Sequence, residues 1–131
     1  MGQQQLLLIV LGVIVVGIAV VVGINLFNAN SVQANKDAVI SDLNNLGALA
    51  QSHYKKPASM GGGNNTFNGS IGAGAVAWVI PAALDTTANG RYVLTTGAQS
   101  ITIVGTGTET GVSATATITP TNIVMSAITP N

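Results

Sequence analysis

The sequence predicts an α+β fold, in which one long N-terminal helix packs by its C-terminal half on a small antiparallel β-sheet. Three observations lead there. Residues 6–27 read LLLIVLGVIVVGIAVVVGINLF, with Asn25 the one strongly polar side chain in the run. From residue 30 to 54 apolar residues return at spacings of three, four or seven, and no proline occurs before Pro57. Beyond residue 74 the period falls to two, most cleanly in Val112–Thr119, where apolar and hydroxyl side chains alternate. A period near 3.6 marks one face of a helix, and a period of two marks a strand with one buried face.

Composition narrows the rest. The 131 residues suffice for one small domain. Charged residues are 6% of the chain, against about a quarter in an average soluble domain, and the first of them is Lys36. The wet surface is therefore built from Thr, Asn, Ser and Gln. Disorder does not fit, because disordered chains pair low hydrophobicity with high net charge, and here the net charge is zero with 47% hydrophobic residues. Nucleic-acid binding needs a clustered basic surface. Four scattered cations do not supply one; only an assembly aligning Lys55 and Lys56 from many copies would. The absence of cysteine removes disulfides, zinc–thiolate sites and iron–sulfur clusters.

Residues 3–29 form the predicted hydrophobic stem, a transmembrane segment or the core of an assembly. Its apolar side chains are Leu6, Leu7, Leu8, Ile9, Val10, Leu11, Val13, Ile14, Val15, Val16, Ile18, Val20, Val21, Val22, Ile24, Leu26 and Phe27. At about 1.5 Å per residue the run from Leu6 to Phe27 spans roughly 33 Å, close to a hydrocarbon core of roughly 30 Å. Three readings compete. A cleaved secretory signal would use the small or apolar positions of Val32-Gln33-Ala34 and release a domain starting at Asn35. Against it, MGQQQ has no basic side chain and the apolar run exceeds the usual 7–15 or so residues. A plain single-pass anchor and an assembling stem are the other two. Gly12, Gly17 and Gly23 each weaken a helix by about 1 kcal/mol relative to Ala. They are not four apart, so they do not make the common dimerisation motif. Glycine is frequent in membrane helices; the functional alternative is close approach or local unwinding in a filament core.

Residues 30–56 continue the helix in amphipathic form. Val32, Val39, Leu43, Leu46, Ala50 and Tyr54 make one apolar stripe, while Gln33, Lys36, Asp37, Asp42, Asn44 and Asn45 lie mostly off it. Asn30 or Ser31 could cap a fresh helix start; a single rod of about 50 residues, roughly 75 Å long, is the favoured expectation. Lys55 and Lys56 suit the negative end of the helix dipole, and Pro57 stops the helix.

Residues 57–131 form the head. Its Gly-rich loop, residues 58–70, includes Gly61-Gly62-Gly63, but a phosphate cradle also needs a following helix and a Lys-Ser/Thr pair, which are missing. Arg91–Thr96, Ser100–Ile103, Val112–Thr119 and Ile123–Ile128 are the predicted strands, with Ala75–Ile80 a weaker one stopped by Pro81. Asn89-Gly90, the stretch Gly105–Gly111 and Pro120-Thr121-Asn122 supply the turns. A single sheet of four or five strands needs a cover for its apolar face. The stripe of residues 32–54 provides it, with Phe67, Trp78 and Tyr92 joining the core.

Catalysis needs convergent ionisable groups. His53 is the sole histidine and is expected in a surface or packing role. Asp37 and Asp42 are five apart and do not share a helix face well; Asp85 and Glu109 are expected in loops. No nucleophilic set or metal-ligand spacing can be read, so neither enzyme activity nor a cofactor or metal is expected. Asn64-Asn65-Thr66 and Asn68-Gly69-Ser70 fit the N-glycosylation triplet, which is common by chance.

This order of parts resembles type IV pilins and pseudopilins: a very short leader ending in Gly, an apolar stem, an amphipathic continuation, a Gly-rich loop and an antiparallel sheet. Gly2 followed by Gln3 looks like a prepilin peptidase site, which would make residues 1–2 a leader. Residues 42–69 look like the stem-to-loop region of some unconventional bacterial pilin-like proteins. Three positions depart from the family pattern: the leader lacks a basic side chain, Gln3 stands where a methylated apolar residue is usual, and Leu7 replaces the fifth-position Glu. Gln3, Gln4 and Gln5 offer neutral hydrogen bonds instead. The resemblance implies a structural subunit of a pilus-like surface filament or a secretion pseudopilus. Its partners would be copies of itself, inner-membrane lipid before assembly and the assembly machinery, with roles in adhesion, motility, secretion or DNA uptake. The alternative is a single-pass, membrane-anchored extracytoplasmic module that holds a partner with its sheet or the Gly61–Gly63 loop.

Overall fold

The computed structural model describes residues 2–129; Met1 of the expected leader and the last two residues of the head lie outside them. The order of elements is a helix α1 (Gly2–Lys55), a 3₁₀ turn (Ala58–Met60), a short helix α2 (Ala82–Asp85) and strands β1 (Gly90–Thr96), β2 (Ile101–Gly107), β3 (Ser113–Ile118) and β4 (Ile123–Thr129). Helix α1 is helical through Asn30 and Ser31, the positions at which a new helix could have been capped. The chain divides after Gln33 into two units, residues 1–33 and 34–131, and each is described by itself.

The second unit is the α+β head. Its four strands form an antiparallel meander in the order β1-β2-β3-β4. Register pairs Tyr92 with Gly105, and Gly105 with Ala114. The alternation read in the sequence becomes the two faces of this sheet. Along β3, Ala114, Ala116 and Ile118 are buried, while Ser113, Thr115 and Thr117 are partly exposed. Residues 34–55 of α1 cover the buried face. Val39, Leu43, Leu46 and Ala50, four members of the predicted stripe, are buried together with Ile101, Ile103 and Val112. Phe67, Trp78 and Tyr92 complete this core as expected.

Close approach of helix and sheet rests on two glycines. A Cβ on Gly47 would meet Ile123 Cδ1 at 2.8 Å and Ile118 Cγ1 at 3.1 Å. One on Gly105 would meet Tyr92 Cε1 and Val39 Cγ1, both at 2.9 Å. Gly105 therefore lies inside β2 rather than in the expected Gly105–Gly111 turn, because the Val39 and Tyr92 side chains occupy the space above it. The turn itself is confined to residues 108–112.

Two further expectations are corrected. Ala75–Ile80 is not a fifth strand. The Val76 amide donates to Gly62 O at 3.0 Å and the Trp78 amide to Phe67 O at 2.7 Å, so this segment spends its amides on the loop and not on a ladder. Asp85 closes the short helix α2, rather than lying in a loop. In β4, three steps from Ser126 to Thr129 face two from Thr115 to Ser113, with Ala127 at φ 50°. This bulge bends the edge strand, a common protection against edge-to-edge pairing.

Candidate functional site

The stem is the segment of unusual chemistry. Each of its seventeen predicted apolar side chains is at least half exposed, from 50% at Val22 to 72% at Phe27. Gly12, Gly17 and Gly23 have open space where a Cβ would stand. Gly2 and Gln3, the proposed processing residues, both lie in the first turn of α1. By length and composition, α1 contains one segment long and apolar enough to cross a membrane. Full burial of a Leu, Ile, Val or Phe side chain gains about 1.5–3 kcal/mol. A run this long is therefore worth on the order of tens of kcal/mol, well above the roughly 5–15 kcal/mol by which a domain is stable.

In the head, polar side chains of α1 pin the helix to the sheet and its loops. Asn35 Nδ2 donates to Asn89 O at 2.7 Å and to Thr108 Oγ1 at 3.2 Å, and Asn35 Oδ1 accepts from the Glu109 amide at 3.2 Å. One oxygen of Asp42, Oδ2, accepts from Tyr92 Oη at 2.6 Å, Asn89 Nδ2 at 3.0 Å and Thr87 Oγ1 at 3.2 Å. Gln51 Nε2 donates to Thr119 O at 3.0 Å. His53 Nε2 lies 2.6 Å from Val76 O, to which it donates. Tyr54 Oη donates to Gln99 Oε1 at 2.8 Å, and its ring lies 4.8 Å from that of Phe67.

The electrostatics of Asp42 follow from this. Partial burial pushes its carboxyl up, but hydrogen bonds from Tyr92, Asn89 and Thr87 outweigh burial and leave it below the ordinary value of 3.8. Burial, with the Asp42 charge beside it, pushes the Tyr92 phenol up.

The Gly-rich loop caps α1. The amides of Gly63, Asn65 and Asn64 donate to the carbonyls of His53, Tyr54 and Lys56 at 2.9, 2.8 and 3.0 Å. His53 and Tyr54 belong to the last helical turn, whose carbonyls lack partners further along the helix, and Lys56 follows it directly. Gly61 adopts φ 76°, and its amide and that of Gly62 go to Ala58 O and Pro57 O. All three glycine amides are thus spent within the head, which leaves none to cradle an anion. A Cβ on Gly62 would run into the Lys56 carbonyl.

These pins have no signature in the sequence. Asn35 and Asp42 find partners 45 to 74 positions away, and no local spacing announces such pairs. Among the described residues, no three of His, Asp and Glu converge to hold a metal ion. An open groove of about 540 Å³ runs beside Arg91, lined by Thr86, Thr106 and Thr108. No family model, curated protein or solved structure matches the chain.

Proposed function

We propose that this chain is a structural subunit of a type IV pilus-like surface filament or secretion pseudopilus, with the stem as its assembly element. The observation that carries the reading is the stem: 22 residues of apolar helix with every large side chain at least half exposed. Such a surface needs lipid or sister stems around it. Before assembly the stem lies in the inner membrane; on assembly it exchanges lipid for copies of itself, and burial is kept throughout. Repetition of one non-closing contact then builds an open helix. The heads form the outer sheath, exposed beyond the cell surface.

The reading assigns no enzymatic role. The two groups best suited to proton transfer, His53 and Asp42, are engaged in holding α1 to the head. A tethered binding module built on the Gly61–Gly63 loop fits less well, since that loop's amides are already used.

Electron microscopy of material sheared from cells, combined with mass spectrometry of the mature N-terminus, tests the proposal. Filaments whose subunits retain residues 6–27 support it. A chain confined to the membrane fraction points to the tethered module, and a mature chain starting at Asn35 removes the stem altogether.

A further inference from the structure

The charged side chains of the head are sorted by position. The Glu109 amide is bonded to Asn35, and Asp85 ends α2 two residues before Thr87, whose hydroxyl is bonded to Asp42. All four acids of the chain, Asp37, Asp42, Asp85 and Glu109, therefore gather around residues 35–42 of α1. Lys36 and Arg91 share this end and leave it two charges negative. The other end carries Lys55 and Lys56, both exposed, and among the described residues no acid. Asp42 is the acid nearest to Lys55 along the helix, thirteen residues and about 20 Å away. That is more than two screening lengths of about 8 Å at physiological salt. The two poles of one head therefore do not neutralise each other.

From this sorting, which builds on the filament reading above, we infer that the partner of each pole is the opposite pole of a second copy. Lys55 and Lys56 of one subunit dock against Glu109 and Asp85 of the next. Asp42 is not free for this contact, because Tyr92, Asn89 and Thr87 hold it; Glu109 is exposed and Asp85 half-buried. A filament built by repeating one contact carries every head in the same sense along its axis. Parallel heads can match opposite poles only head to tail, and that contact repeats without closing. Like poles brought together set two positive or two negative charges face to face, which selects register and direction.

The test uses the full-length chain expressed in cells, with filaments counted by electron microscopy. Lys55→Glu with Lys56→Glu, and separately Asp85→Lys with Glu109→Lys, should each lower filament number at least about tenfold. The fourfold exchange should restore it to within about twofold. The pair Lys56→Glu and Glu109→Lys, both at exposed positions, repeats the swap without touching α2. Melting of each variant in detergent micelles checks that the head is folded. Abundant wild-type filaments unaffected by either single-pole reversal overturn the inference and leave the filament reading standing. Loss on reversing the lysines without rescue by the acid swap also overturns it, and assigns Lys55 and Lys56 to an anionic partner of another kind. Absence of wild-type filaments removes the filament reading itself.

Discussion

Tyr92 donates its phenolic hydrogen bond to Asp42 Oδ2 at 2.6 Å, joining β1 to α1 across fifty positions of sequence. The pair sits at the rim of the core, where α1 lies over the sheet. A hydrogen bond to a charged acceptor contributes about 1.5–3 kcal/mol. Tyr92→Phe keeps the ring in the core and should lower the stability of the head by that amount, read as a fall in the melting midpoint in micelles. An unchanged midpoint would show that the bond contributes nothing.

The same pair sets an acid dependence. Asp42 is held below its ordinary value when folded, so its stabilisation is fully present above the unfolded value near 3.9 and fades as pH falls through the folded one. Tyr92 is shifted upward; its share is present below the unfolded value near 10 and fades only as pH rises beyond that. Melting curves between pH 2 and 7 should show wild type losing stability below about pH 4, with a shallower loss in Asp42→Asn. Equal slopes in the two proteins would contradict the assignment.

Glycines divide by what stands over them. Gly105→Ala forces a methyl against Tyr92 and Val39, both buried in the core. Overpacking of this kind costs about 1–3 kcal/mol. Gly12→Ala meets open space and should strengthen the isolated helix by about 1 kcal/mol. Denaturation of the two variants side by side separates these effects; a stabilised Gly105→Ala would mean that helix and sheet do not approach as described.

The cap on α1 is a third target. Gly62→Ala collides with the Lys56 carbonyl and should release the amides of Gly63, Asn64 and Asn65 from the helix end. Hydrogen exchange should report faster exchange at those three amides, while the β2–β3 ladder stays protected. Protection retained at all three would show that the loop tolerates the side chain.

Much of this architecture is legible in the sequence. Val39, Leu43, Leu46 and Ala50 announce the covered face because a helix repeats every 3.6 residues. Val112–Thr119 announces β3 because a strand repeats every two. Gly47 carries no local signal, since its role is set by Ile118 and Ile123, far along the chain. Ala75–Ile80 misled through its β-forming Val76, Trp78 and Ile80, since residue preference does not say where amides find acceptors. Ala127 gave no warning of a bulge, because alanine seldom adopts positive φ. For the stem, composition carried nearly everything, as a run of 22 residues with one strongly polar side chain is long and apolar enough to cross a membrane.

The claim beneath all of this is that residues 6–27 never meet water in the living cell. The chain contains no cysteine, so Val15→Cys places a single thiol at mid-stem. Labelling of intact membranes and of sheared surface material with a membrane-impermeant maleimide reads its exposure directly. The thiol should stay unlabelled in both, and react fully only once the protein is denatured. Rapid labelling of the native protein in both fractions would mean that the stem stands in water, and with it would fall both membrane insertion and assembly through the stem.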